Sequence, residues 1–511
     1  RAALEALLRR WDGRAQLRVL MHELDKAGIA GGGLPTKPRA PSVVPQVDFF
    51  DLLPRVLCTH VLRFMEMHSL ATCASVSKRW RHRTTTQSVD DLWQAEFLRL
   101  HSDSTFLNNF RLWRNYSWRE ICLMQGRSRE GWMHSSVSKQ VFQGHRDRVR
   151  HVRIRRDIIV SSSWDRSLRV IRNDDSFTKS KQVASHGGSV YGMSFNGEIA
   201  VACSEDSTIK IWNVIKETCE AELIAHSSAV YRVAMMTSEI LISCCRDFIG
   251  VWHWPSKTLL HRLTGHTHDV HRIQAGEDTF VTGSYDATVR VWGYPSCEAL
   301  WVSPPCHKLG VSCLHFEGSI LASGSAKGEI FIWDLVTGAR RHSFDPNYHN
   351  ESTISCILVI KNRVFSTSTF SLRQNDGIVC VWDCDVGVLL ARMVEPFHIN
   401  ALKKDFGLVY CACSDGVLRI RSQARDDFSV VRELEHGTKP LYDVDVQGPR
   451  AVTCGLDKAV VLWTVNLHEI SPPEDDPESL ANGGGVGGMG FGDELNAYEQ
   501  LEDGNDSDIV P

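Results

Sequence analysis

"GSYDATVRVW", residues 283–292, reads as one tight turn followed by one strand. Val289 and Val291 alternate with Thr288 and Arg290, the period of two expected of a half-buried β-strand. Asp286 follows small residues, where a short carboxylate can accept hydrogen bonds from backbone N–H groups of its own turn. The stretch decides the fold because it recurs. "SSWDRSLRVI", "CSEDSTIKIW", "CCRDFIGVW", "GSAKGEIFIW", "NDGIVCVW", "CSDGVLRIR" and "GLDKAVVLW" repeat it along the C-terminal two-thirds of the chain. The equivalent turn positions are Asp165, Asp206, Asp247, Asp286, Lys327, Asp376, Asp415 and Asp457, spaced 39 to 49 residues apart. A histidine precedes each turn, commonly by 20 or 21 residues: His145, His186, His226, His266, His307, His349 (27 residues ahead) and His436, with His398 a looser match.

Two markers in step over eight units, with Gly-His near the start and a Trp-ending strand, resemble the WD-repeat family. The resemblance covers residues 137–467 and implies an all-β propeller of eight four-stranded blades. "VSKQVF", residues 137–142, alternates like a strand ahead of the first Gly-His, and is expected to complete the last blade beside residues 459–464. In the family the turn Asp accepts a hydrogen bond from the repeat's His, which is linked onward to a strand Ser/Thr and the Trp. The resemblance thus assigns a structural network to His145, Asp165, His186, Asp206, His226, Asp247, His266, Asp286, Asp376, Asp415, His436 and Asp457. Ser161, Ser243, Thr282, Ser323 and Thr453 hold the hydroxyl position. Ala202 and Cys411 do not, Arg421 stands where the seventh repeat should have its Trp, and Lys327 replaces the fifth Asp. The fifth blade is therefore expected to lack the full network. Each His-Asp pair serves its own blade, so the set needs no convergent catalytic or metal site.

Composition is ordinary for a globular protein: 511 residues, 43% hydrophobic, 23% charged, net charge −4. No apolar run approaches the roughly 18 residues of a membrane span. The start, "RAALEALLRRWDGRAQ", lacks the apolar core of a signal peptide. The sixteen cysteines are scattered and never at zinc spacing, so reduced thiols in the cytoplasm or nucleus are expected, with no metal and no cofactor. Residues 1–30 place Leu4, Leu7, Leu8, Trp11, Leu17, Leu20 and Leu24 on one helical stripe, an amphipathic docking helix that leaves dimerisation open. Residues 31–46 form a Gly/Pro linker, and residues 99–136 a helical connector. From His468 to Pro511 there are twelve Asp/Glu and no Lys or Arg, an acidic Gly-rich tail expected to be disordered. The basic run "RDRVRHVRIRR", residues 146–156, alternates with Val149, Val152 and Ile154, so it reads as a solvated blade edge rather than a nucleic-acid site.

Between linker and connector, residues 47–98 carry "LLPRVLCTHVLRFM", then "VSKRW", then Leu92-Trp93. Pro54 suits a first helical turn, and Leu57, Val61, Leu62 and Met65 recur at helical spacing. About fifty residues cannot bury every apolar side chain in this stretch, and a surplus on so small a domain marks an interface. The pattern resembles the F-box. The whole chain is thus read as an α+β multidomain protein, a small helical F-box domain followed by the propeller. An F-box ahead of WD repeats resembles the substrate receptors of SCF-type cullin–RING ubiquitin ligases. That resemblance implies a non-catalytic role. Leu53, Pro54, Leu57, Val61, Leu62 and Trp80 would hold a Skp-type adaptor, with cullin and RING subunits joined indirectly. A protein substrate would meet the propeller face where the Asp-bearing turns emerge. Candidates there are Arg150, Trp164, Tyr191, Tyr231, Arg246, Tyr285 and, on the insertion "FSLRQN", Arg373. Arg side chains can grip phosphate, but most of these positions are aromatic, which leaves phosphate dependence open. The other reading open at this point is a WD-repeat scaffold acting outside a ubiquitin ligase.

Overall fold

The structure is a computed structural model. It describes residues 127–467, apart from 156, 173–179, 225, 345–346, 348–351, 369–376, 406 and 424–427. The adaptor residues Leu53, Pro54, Leu57, Val61, Leu62 and Trp80, the loop residue Arg373, and the network residues His349 and Asp376 lie outside the described residues.

Eight four-stranded antiparallel sheets follow one another as the blades of a β-propeller. Blade 1 covers residues 149–185, blade 2 190–224, blade 3 232–263, blade 4 270–302, blade 5 311–344, blade 6 354–395 and blade 7 399–435. Blade 8 takes three strands from residues 441–465 and its fourth from Val137–Phe142. That strand pairs with Val460–Val465 in an unbroken register from Val137↔Val465 to Phe142↔Val460, as the alternation of "VSKQVF" led us to expect. Two compact units divide the blades: 3 to 6 dominate one, while 1, 2, 7 and 8 make the other. Second strands such as Ile199–Ser204 are buried throughout, whereas fourth strands such as Thr258–Leu263 are mostly exposed. In the unit holding blades 1 and 8, the first strands of neighbouring blades pack on one another and form its inner wall.

The basic run corrects the sequence reading. Val149–Arg155 is a first strand, hence inner wall and not a solvated edge. Arg153 Nη1 meets Asp443 Oδ2 at 2.5 Å and Arg155 Nη1 meets Asp445 Oδ2 at 2.7 Å, both acids on the first strand of blade 8. The same carboxylates accept the backbone N–H groups of Val152 and Ile154, at 3.3 and 3.0 Å. Alternation in the sequence gave a strand; it could not say that acids wait on the neighbouring blade.

The repeat network forms where its chemistry is complete. His145 Nδ1 lies 2.9 Å from Asp165 Oδ2 and its Nε2 2.9 Å from Ser161 Oγ. In blade 4, His266 spans Asp286 at 2.7 Å and Thr282 at 2.9 Å, and Trp292 Nε1 donates to the same hydroxyl at 3.0 Å. Blade 8 turns the ring over: His436 Nδ1 bonds Thr453 Oγ1 at 2.7 Å, while Nε2 lies 2.9 Å from Asp457 Oδ2 as a close contact without hydrogen-bond alignment. Burial disfavours the ionised Asp165, yet hydrogen bonds from His145, Ser167 and the Arg146 N–H hold its carboxyl well below the usual range. Blade 3 keeps the Trp252–Ser243 bond at 2.8 Å, with His226 buried and Asp247 exposed. Blade 6 keeps Trp382–Ser366 at 2.8 Å, a hydroxyl that its insertion hides from the spacing rule.

Three blades depart. In blade 2, Ala202 offers no hydroxyl, so the buried His186 Nε2 and Trp212 Nε1 have no hydrogen-bond partner, although His186 Nδ1 still lies 3.4 Å from Asp206. Ala202→Ser should supply that partner and stabilise the protein by about 1 kcal/mol, read as a higher urea midpoint. A lower midpoint would mean that the added oxygen does not fit. In blade 5 the carboxylate is not lost but relocated. Glu329, two residues after Lys327, accepts the Lys308 N–H at 2.7 Å, as Asp286 accepts that of Thr267. It reaches His307 Nδ1 only at 3.7 Å, leaving that nitrogen without a hydrogen bond, and burial pushes the His307 ring down to about 3. The network is incomplete there, as Lys327 implied, but by geometry and not for want of an acid. In blade 7, Asp415 does not serve the His network; Arg419 Nη2 holds it at 2.7 Å. The Trp position there is filled by Arg421, buried and paired with Glu395 of the blade 6 outer strand at 2.5 Å.

Candidate functional site

A recurrent β-bulge prepares one face of the propeller. In the first strand of blade 1 the register runs Val149↔Ser163, then His151↔Ser162, so Arg150 stands outside the ladder. The same slip sets aside Tyr191, His271, Ser312, Asn400 and Tyr442 in five other blades. A bulge re-aims the extra side chain, here toward the turn carrying the Asp marker. The residue after Asp165, Asp206, Asp286, Asp415 and Asp457 is left-handed, with φ of 71° at Arg166 and 65° at Ala287, which tightens those turns and presents the residue before the Asp.

In the unit of blades 1, 2, 7 and 8, these positions meet as cation–aromatic stacks. Trp164 has the Arg148 guanidinium 4.4 Å from its ring and that of Arg150 at 5.7 Å. Arg150 also lies 4.9 Å from the ring of Tyr442. Tyr191 and Tyr231 stack at 6.1 Å with 12° between their planes. Burial, then the Glu205 carboxylate, raises the Tyr191 hydroxyl above its ordinary value, so it stays a neutral donor. In the other unit, Arg246 is 69% exposed and lies 3.8 Å from Asp269. His271 connects that acid, at 3.9 Å, to Tyr285, whose ring sits 4.3 Å from its own. Tyr285 itself is 47% exposed.

The structure therefore joins Arg150 with Trp164, Tyr191 with Tyr231, and Arg246 with Tyr285 through Asp269 and His271. Sequence reasoning missed Arg148, Glu205 and Asp269 as members of these groups. Arg148 had a readable signal, since it precedes a bulged Arg by two residues, and Glu205 stands directly before a turn Asp as Trp164 and Tyr285 do; Asp269 had none. Guanidiniums held against aromatic faces are fixed in direction yet keep N–H groups for a ligand, each contact worth about 0.5–1 kcal/mol where exposed. Aromatic and Arg side chains also supply most protein-interface anchors. Among the described residues, no group of three or more His, Cys, Asp or Glu is placed to hold a metal ion. Nor is any helix among them long and apolar enough to cross a membrane.

Comparison with known proteins places these units. The F-box domain family matches residues 50–91, and the WD domain, G-beta repeat family matches 136–172, 177–213, 257–293 and 300–334. The chain is 32% identical over 31% of its length to the DENN domain and WD repeat-containing protein SCD1 of Arabidopsis thaliana, spanning 14% of that protein. Cilia- and flagella-associated protein 52 of Mus musculus is 25% identical over 60% of the chain, half of that protein's own length being covered. WD repeat-containing protein pop2 of Schizosaccharomyces pombe is 23% identical over 50% of the chain and 43% of that protein. The chain thus spans half or less of these curated relatives. In fold it is similar to the computationally designed Ika8 protein, with a TM-score of 0.55 at 23% identity over 63% of the chain and 98% of the design. With an F-box domain set ahead of WD repeats, the chain is an F-box/WD-repeat protein.

Proposed function

We propose that the protein is the substrate-recognition subunit of an SCF-type cullin–RING ubiquitin ligase. The observation that carries this reading is the F-box match at residues 50–91, upstream of a propeller bearing a re-aimed set of Arg and aromatic side chains. An F-box implies a Skp-type adaptor, and a WD propeller implies protein partners. In this role the chain makes no covalent bond. It raises the effective concentration of substrate lysines near a conjugating enzyme and fixes their approach. Leu53, Pro54, Leu57, Val61, Leu62 and Trp80 hold the adaptor, which brings cullin and RING subunits with it. The substrate docks on Arg150, Trp164, Tyr191, Tyr231, Arg246 and Tyr285, with Arg373 supplying a further cation. Work in the cytoplasm, the nucleus or both fits this role.

Affinity purification with mass spectrometry tests it. Adaptor and cullin should appear together with the intact chain and disappear with the Leu53→Ala/Pro54→Ala variant, while the circular dichroism of the propeller is unchanged. Undiminished adaptor recovery would reject the ligase assignment and leave a WD-repeat scaffold. In a chain that retains the adaptor, Arg150→Ala should weaken capture of the recovered substrate by about 2–4 kcal/mol if it meets a phosphate or buried carboxylate. Phosphatase treatment of the substrate then separates phosphate-dependent capture from an aromatic site that ignores it.

A further inference from the structure

The inner wall of blades 7, 8 and 1 carries more positive charge than its own acids neutralise. Arg153 and Arg155 are paired with Asp443 and Asp445. Lys403 is 4.0 Å from Asp445, and Arg232 adds a guanidinium 2.9 Å from His151 and 2.6 Å from the Tyr191 carbonyl. Three cations of blades 7 and 1, with Arg232 from the first strand of blade 3 as a fourth, thus face the two carboxylates of blade 8. His151 does not change the balance: burial drives its ring down to about 4, and it is neutral at physiological pH. Burial first, and then the Arg153 guanidinium, lowers the Lys403 ammonium against the opposing pull of Asp445 and Asp443. Lys403 nevertheless keeps 41% of its side chain exposed, so an anion can reach it.

The acidic segment of the chain starts beside this wall. Val460–Val465 ends where Arg450 pairs with Thr464, and the adjoining hairpin closes at Gln447↔Arg450. The first strands of blades 7 and 1 reach their own hairpins at Asp405↔Leu408 and Arg155↔Ile158. Cross-blade bonds bring those ends together: Arg450 Nη1 to Asp157 Oδ1 at 2.5 Å, and the Gly448 N–H to Asp405 Oδ2 at 3.1 Å. Leu467 packs on the hydrophobic cluster that blades 7 and 8 share with Trp132. The next 44 residues, 468–511, hold twelve Asp/Glu and no Lys or Arg. Such a length reaches about 35 Å as a flexible chain, more than enough to turn back onto the blades it leaves.

We infer that residues 468–511 dock intramolecularly, through their carboxylates, on the cationic inner wall formed by Arg153, Arg155 and Lys403. Tethering gives the segment a millimolar effective concentration, so even weak ionic attraction suffices for occupancy. The inference is independent of the adaptor and of the ligase reading.

A fluorescent peptide of residues 468–511 is titrated into the chain ending at Leu467 and into the full chain. Anisotropy should show binding to the shortened chain, at least about tenfold weaker binding to the full chain, whose own segment competes, and loss of binding at high salt. Lys403→Glu in the shortened chain should reduce affinity about tenfold or more, its urea midpoint reporting whether it folds. A second peptide, with Glu474, Asp475, Asp476 and Glu478 changed to Gln or Asn, perturbs no fold and should bind more weakly. Equal affinity for full and shortened chains, or undiminished binding of the neutralised peptide, overturns the inference. So does a wall that binds inorganic tripolyphosphate but not the peptide, which would make it a site for free anions.

Discussion

Deleting residues 130–142 should destabilise the propeller more than any single substitution in it. That segment supplies two things at once. Val137–Phe142 closes blade 8, and without it the strand Val460–Val465 becomes an unpaired edge with Val460, Val461 and Leu462 stripped of cover. Phe142 also leaves a core cluster shared with Val149, Val152 and Ile154 of blade 1. Just upstream, Trp132 is fully buried between blades 7 and 8, its Nε1 donating to the Gly448 carbonyl at 2.9 Å and its ring meeting that of Tyr410 edge-on at 5.5 Å. Trp132→Ala alone should cost about 3–5 kcal/mol, since it empties a site lined by Leu408, Leu441 and Trp463 that cannot collapse without moving two sheets. Urea denaturation followed by fluorescence reads both changes. A Trp132→Ala midpoint within error of the parent would show that the residues before blade 8 merely rest on the propeller.

Arg421→Ala should be the next most damaging change, at about 3–5 kcal/mol. In blades 5 and 6 the strand Trp packs against the outer strand of the preceding blade: Trp333 beside Trp301 at 5.9 Å, Trp382 stacked on Phe344 at 4.0 Å. Arg421 does the same task by charge, pairing with Glu395 at 2.5 Å, donating to the Phe428 carbonyl at 3.0 Å and lying 5.3 Å from the Phe428 ring. Its removal leaves Glu395 without its cation in a largely enclosed place, and the loss is of that pairing more than of volume. The pair Arg421→Met/Glu395→Leu distinguishes the two causes. It should recover most of the stability, because an apolar contact of similar size replaces a desolvated ion pair. If the double variant is as unstable as Arg421→Ala, packing volume and not charge is what Arg421 contributes here.

The number of blades, the closing strand and the places where the network would fail were legible in the residues alone. All three follow from periodicity and from residue type at fixed offsets, which are local properties of the chain. Ala202 lacks an oxygen wherever it is placed, so two orphaned ring nitrogens in blade 2 were legible in advance. What stands opposite each of these residues was settled by the folded arrangement of the blades. Glu329 became the blade 5 carboxylate, Asp415 went to Arg419, and Arg421 found Glu395, because each choice depends on side-chain reach across a turn or between blades. The basic run shows the limit most plainly. Its alternation fixed a strand, but whether Arg153 and Arg155 faced water or paired with acids depended on Asp443 and Asp445, some 290 residues away. A charge takes its meaning from its neighbours in space, and those neighbours are set only when the blades are assembled.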